Sequence, residues 1–168
     1  MKKEEFTTEE LEALYQITKE HKENATESDE EYYNDHYNNY EEPIPKKVII
    51  SILKKLSKHL PKEAKEEIDK DFLRQKYHIF NNQIDQRVYS TLKKAFEQLK
   101  SVEIKYFNME SAEFRKRKID VDYTFAKYTI GYCYLRKAIR KFRTSRIASA
   151  KLTDERYKIP KSFDKNKY

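Results

Sequence analysis

The sequence predicts an α+β protein, with N-terminal helices followed by a small, strongly bent antiparallel β-barrel. Apolar residues recur at helical spacing as far as Leu99 and then alternate from Val102 onward. Beyond that switch, five short β-like runs are packed into little more chain than a closed sheet of that size needs. The 14 Tyr and 9 Phe supply enough amphipathic surface to cover such a sheet, although only 38% of the chain is hydrophobic.

Four segments are expected, in order. Residues 1–20 hold one short helix: Thr7 and Glu10 form a capping-box pair, and Leu11, Leu14 and Tyr15 give its apolar side. Residues 21–45 form an acidic loop or linker, since Glu30 to Tyr40 is rich in Asn, Tyr and carboxylates without a period. Residues 46–84 form linking helices. Pro45 opens the first of them, whose stripe is Val48, Ile49, Ile52, Leu53, Leu56 and Leu60. Pro61 restarts a second through Ala64, Ile68 and Phe72, and Tyr77 to Gln83 reads as extended. Residues 85–168 begin with Asp85 as the cap of a helix bearing Val88, Tyr89, Leu92, Ala95, Phe96 and Leu99, and continue into the barrel.

The barrel strands follow from alternation and turn chemistry. Val102–Tyr106 is the first, turned back by Met109–Ala112, and Phe114–Val121 is the second. Ala126–Leu135 is rich in β-branched and aromatic residues, and Ile139–Arg143 and Ile147–Leu152 complete the set. Gly131, in mid-strand, marks a bend or a close backbone approach.

Composition excludes several function classes. Gly131 is the only glycine, so no glycine-rich phosphate loop exists, and Cys133 is the only cysteine, so no internal disulfide or cysteine-built zinc site exists. No apolar run approaches the length needed to cross a bilayer, and residues 1–6 lack an apolar signal core. With a mean hydropathy of −1.06, a cytoplasmic protein is expected. The net charge of +7 conceals an asymmetry: residues 1–45 carry −10 and residues 46–168 carry +17. From Tyr123 to Thr153 there are eight basic residues, four of them Arg, and no acidic ones. Such a block suits a phosphate-bearing or polyanionic partner, with a solvated lysine-rich surface as the alternative.

The run Tyr128-Thr129-Ile130-Gly131-Tyr132-Cys133-Tyr134-Leu135-Arg136, followed by Phe142-Arg143-Thr144-Ser145-Arg146-Ile147, resembles the WYL domain family. That family carries a Trp-Tyr-Leu triplet, a Gly/Ala-Tyr-Cys-His-Leu-Arg run and a Phe-Arg-x-Asp-Arg-Ile run. Arg143 follows Arg136 by seven positions and Arg146 follows Arg143 by three, as in the family pattern. The resemblance spans Val88 to Asp164 and is faint over Pro45 to Phe72. Three positions depart from it: the triplet reads Lys127-Tyr128-Thr129, Tyr134 stands for the His, and Ser145 stands for the Asp. The resemblance implies an SH3-like (Sm-like) β-barrel in a bacterial regulator of transcription or defence. It further implies a ligand of nucleic-acid or nucleotide-like kind. The family's usual N-terminal winged helix-turn-helix and C-terminal extension are not expected in this chain.

If the strand stays regular, Tyr128, Ile130, Tyr132, Tyr134 and Arg136 share one face, while Thr129, Gly131, Cys133 and Leu135 turn inward. The candidate ligand- or nucleic-acid-binding residues are therefore Tyr128, Tyr132, Tyr134, Arg136, Arg143 and Arg146, with tyrosines stacking on bases and arginines holding phosphates. The competing view is that the tyrosines pack and the arginines are structural. Lys137, Arg140 and Lys141 read as a solvated turn, Arg115 to Lys118 as a solvated hairpin edge, and Cys133 as a buried small hydrophobe. A metal site from His36 with Asp29, Glu30 and Asp35 has no spaced His pair to support it. No catalytic constellation is recognisable, so no enzymatic activity, cofactor or metal is expected. The leading expectation is single-stranded nucleic acid or a nucleotide-like anionic ligand as partner. A helical interaction protein, homodimeric through its apolar stripe, is the alternative. A third idea has the acidic segment 27–42 lying over the basic barrel.

Overall fold

The computed structural model describes residues 6–24, 44–78 and 83–168. The expected loop from Glu30 to Tyr40, the His36 group and the segment 27–42 lie outside the described residues. The chain divides into two compact units, Met1–Asp69 and Lys70–Tyr168.

In the first unit, helix α1 spans Thr8–Asn24, longer than the 1–20 segment expected. Its start is the reciprocal pair read from the sequence. The Glu10 N–H donates to Thr7 Oγ1 at 3.2 Å, and the Thr7 N–H donates to Glu10 Oε2 at 2.7 Å. The same Thr7 N–H holds the Glu10 carboxyl below its usual range. Tyr15 is buried and donates to Asp69 Oδ1 at 3.0 Å. Burial, followed by the Asp69 charge, pushes its phenol up to about 12. Helix α2 spans Lys46–Leu56 and packs on α1. Its stripe is narrower than expected: Ile49 and the following Leu60 are buried, but Val48 and Ile52 are exposed, together with Ile50 at 49%. Helix α3 spans Lys62–Lys76, starting after Pro61 as expected and running past Phe72 with no fully buried residue.

The second unit is a helix on a sheet. Tyr77 and His78 close α3 as a turn, the Tyr77 N–H donating to Leu73 O at 3.1 Å, instead of opening an extended segment. Helix α4 spans Gln86–Gln98. Asp85 caps it, Oδ1 accepting from the N–H groups of Arg87 at 2.7 Å and Val88 at 3.3 Å. At Leu99 the backbone turns left-handed, with φ 51°, and the chain enters the sheet without a loop. The five strands are β1 Lys100–Asn108, β2 Glu113–Phe125, β3 Tyr128–Cys133, β4 Ala138–Arg143 and β5 Ile147–Arg156. The turn at Met109–Ala112 falls where expected. The second strand runs four residues further than expected, to Phe125, and the third stops at Cys133 instead of Leu135.

All neighbours are antiparallel in the order β4-β3-β2-β1-β5. The expected closed barrel does not form in the hydrogen-bond ladder: β4 and β5 are the two edges, and no ladder joins them. Register shifts at Val121/Tyr123, Lys100/Val102 and Lys105/Tyr106 bend the sheet. A single 3-10 turn, Thr144–Arg146, carries the chain from one edge strand to the other. Helix α4 packs on β1, β2 and β5, inserting Val88, Leu92 and Ala95 among Val102, Ile104 and Ile119. It covers the apolar face that closure would otherwise have enclosed. Gly131 is a contact position: a Cβ there would lie 2.0 Å from Asp120 O and 3.2 Å from Val121 Cα.

Candidate functional site

Strand β3 divides the candidate residues by face. Cys133 belongs to the core beneath α4, and Thr129 and Gly131 alternate with it on that side. Tyr128, Ile130 and Tyr132 take the opposite face, as alternation required. The expected continuation through Tyr134 and Arg136 fails. A turn begins at Tyr134, the Arg136 N–H donates to Cys133 O at 3.1 Å, and Lys137 adopts φ 51°. Arg136 is exposed on that turn, and Leu135 is 58% exposed instead of facing inward.

At this turn end the sheet holds a carboxylate network. The Tyr134 hydroxyl donates to Asp120 Oδ2 at 3.0 Å and the Ser101 hydroxyl donates to Asp120 Oδ1. Lys118 lies over the Tyr134 ring, 4.5 Å from its centroid, and pairs with Glu155. The rings of Tyr132 and Tyr134 meet edge to face at 5.3 Å. Two residues along β2, Asp122 is buried and its Oδ2 has no hydrogen-bond partner. Burial, reinforced by the Asp120 charge, raises its carboxyl to about 6. The Tyr157 hydroxyl donates to Val121 O, and burial followed by the Asp122 and Asp120 charges raises its phenol. The stretch from Tyr123 to Thr153 has no carboxylate of its own, and these two reach it from earlier in β2. The signal was present in Ile119-Asp120-Val121-Asp122, where Asp120 lies opposite Tyr132.

The other end of the hairpin is basic. Tyr128 lies opposite Arg143 in the ladder, with Lys141 Nζ 4.6 Å and Lys127 Nζ 5.8 Å from its ring centroid. Arg143 is only 6% exposed, and its Nε–H donates to Ser145 Oγ at 3.2 Å. Arg146 is half-buried and donates from Nε to the Tyr77 carbonyl at 3.2 Å. The Tyr77 ring is wedged between Phe107, stacked at 4.6 Å, and Phe114, edge-on at 5.5 Å. The expected arginine trio therefore does not converge. Arg143 and Arg146 flank one turn, whereas Arg136 lies a strand length away, roughly 17 Å at the usual rise per residue. In the second basic cluster Arg115 and Lys116 are exposed, as a solvated edge requires. Arg117 instead turns inward, 5.7 Å from the Tyr106 ring centroid and 3.9 Å from Cys133 Sγ.

Beside the basic turn lies a cleft of about 550 Å³ lined by Tyr77, Ile84, Asp85, Ser145, Ile147 and Ala148, among others. An adjoining hollow of about 210 Å³ is lined by Ile84, Ala126, Lys127 and Ser145. Ser145 and Ile84 line both, and neither was among the candidate binding residues read from the sequence. A cleft of this size suits a small ligand, oriented by a few hydroxyl and charged groups. Among the described residues no group of three or more His, Cys, Asp or Glu could hold a metal ion, and no helix is long and apolar enough to cross a membrane.

Residues 87–152 match the model of the WYL domain family. Among solved structures, the chain is similar to proteasome accessory factor B/C (PafBC) of Arthrobacter aurescens, with 16% identity and a TM-score of 0.38. The match covers 90% of this chain and 21% of that one, so the chain spans about a fifth of that protein's length. None of the curated proteins matches the chain.

Proposed function

Residues 87–152 being a WYL domain, we propose that this protein is a regulatory binding module for a phosphate-bearing partner, single-stranded nucleic acid before a nucleotide-like ligand. It acts in transcriptional or defence control in the cytoplasm and carries out no catalysis of its own. Residues 46–84 are read as linking helices, and 85–168 as the helix and an open form of the SH3-like barrel. The observation that carries this reading is the stretch from Tyr123 to Thr153. It is free of carboxylates and runs from the end of β2 through β3, β4 and the following turn into β5, presenting Lys127, Arg136, Arg140 and Lys141 to solvent. Counterion release at such a surface favours a polyanion regardless of its sequence.

Fluorescence anisotropy with a short labelled single-stranded oligonucleotide tests the reading. Binding is expected at low salt, weakening steeply as salt rises, and Arg136→Ala should weaken it further. A nucleoside monophosphate that competes at equal concentration would favour the cleft and a small ligand. No binding to either probe at low salt would remove the reading. A second reading, self-association through α2, is favoured by the exposure of Val48, Ile50 and Ile52. Light scattering at micromolar concentration should then show a dimer that Ile52→Asp disrupts.

A further inference from the structure

We propose that the β2–β3–β4 face and the C-terminal segment together form a stacking ledge for single-stranded nucleic acid. This rests on the nucleic-acid reading above and names its surface.

The C-terminal segment is fixed to the sheet at three places. After β5, the Tyr157 N–H donates to Leu99 O at 3.0 Å and its hydroxyl donates to Val121 O. Further on, Lys165 Nζ lies 5.0 Å from the centroid of the Tyr123 ring. At the last residue, Lys141 Nζ donates to the carbonyl of Tyr168. Tyr123, Ile130 and Lys141 are direct partners across β2, β3 and β4. The segment thus touches both ends of a single cross-strand row. Ile130, at the middle of that row, is 4% exposed although it lies outside the core cluster.

The next row, Phe125–Tyr128–Arg143, is where the face stays open. Phe125 is 64% exposed and Lys127 is exposed beside it. Tyr168 is also exposed and stacks on Phe163 at 6.3 Å with an interplanar angle of 11°. Four rings, those of Tyr123, Phe125, Tyr128 and Tyr168, are therefore brought to one side together with Lys127, Lys141 and Lys165. The segment beyond Tyr157 adds Lys158, Lys161 and Lys167 against one carboxylate. That carboxylate, Asp164, accepts from the Asn166 N–H at 2.9 Å and faces its own turn.

Chemistry separates nucleic acid from an acidic peptide as the occupant. Both would use the ammonium groups, but only successive bases gain from open, flat rings such as Phe125. Lys165 and Lys141 now lie against the rings of Tyr123 and Tyr128. Such exposed cation–π contacts are weaker than the stacking of a base on an aromatic ring. A phosphate beside these lysines and a base on the open ring of Phe125 can be engaged together, with the segment still held to the sheet.

The test is anisotropy of the full chain with a short fluorescein-labelled oligo(dT). Phe125→Ala should weaken binding roughly 5- to 100-fold, and Phe125→Tyr should stay within about twofold of the parent. Lys165→Ala should lower the slope of log K against log salt by about 0.7. Lys116→Ala, on the remote β1–β2 hairpin, is the charge control, and circular dichroism melts confirm that each variant folds. If oligo(dT) binds and neither Phe125→Ala nor Lys165→Ala alters it, the ledge is wrong while the nucleic-acid reading stands. If a duplex of equal length competes as well as the single strand, stacking is excluded and the ledge falls. Absence of any oligo(dT) binding at low salt removes both proposals.

Discussion

The two ends of the β3–β4 hairpin pair tyrosine with arginine in opposite surroundings. At the turn, Arg136 is exposed on a loop while Tyr134 is tied to Asp120 inside a carboxylate network. At the open end, Tyr128 keeps an exposed edge among lysines while Arg143 is buried behind it. A side chain of the same type thus serves as surface at one end and as framework at the other. What decides is the neighbouring strand: β2 brings Asp120 and Asp122 to one end, and the β4–β5 turn brings Ser145 and Arg146 to the other. A motif match places an arginine on the chain without saying which of the two it becomes.

The comparison breaks most completely at the residue between the two ends. Gly131→Ala sets a methyl group against Asp120 O, and the backbone has no room to yield. A loss of about 3 kcal/mol or more is expected, read as a lowered thermal midpoint or a failure to fold. A parent-like melt would mean that β2 and β3 are less closely apposed. Next in size is the contrast between the arginines. Arg143→Ala should cost about 2–3 kcal/mol, since it empties a buried site and removes the hydrogen bond to Ser145. Arg136→Ala should leave stability within about 0.5 kcal/mol and act on oligonucleotide affinity instead. Urea titrations of the two variants side by side would show whether framework and surface are truly divided.

Smallest is the carboxylate end. The carboxyl of Asp122 is raised in the fold, so its ionised form is the disfavoured one. Its contribution to stability is greatest below the unfolded value near pH 4 and falls as pH rises through about 6. Asp122→Asn should flatten that fall and add about 1–2 kcal/mol at pH 8, with little change at pH 4. Melting curves at the two pH values give the answer directly; equal gains at both would point to packing instead of charge.

Part of this was legible in the chain itself. Asp85 announces α4 because a short acceptor before an apolar period has one structural use, and Met109–Ala112 announces its turn in the same way. Local signals of that kind survive folding. The end of β3 was hidden because Tyr134 and Leu135 continue a β-like composition, and the left-handed turn residue is a lysine. Burial of Asp120 was hidden for a different reason. An acid in an alternating strand reads as solvent-facing, and the groups that cover it, Ser101 and Tyr134, come from other strands and turns. Burial of Arg143 was hidden likewise: its guanidinium meets Ser145, and its backbone N–H donates to the Tyr106 hydroxyl from a strand 37 residues earlier.

Three joints of the sheet unit turn left-handed without glycine: Leu99 between α4 and β1, Ala112 before β2, and Lys137 in the β3–β4 turn. The only glycine is committed to a strand contact. Each of these residues holds its Cβ against a neighbouring carbonyl at a cost of about 1–2 kcal/mol. The fold therefore operates below its attainable stability at three hinges, two of which, Leu99 and Lys137, face solvent. Robustness could be added at Leu99 by relaxing the backbone, without touching a single ring, lysine or arginine of the surface the fold carries.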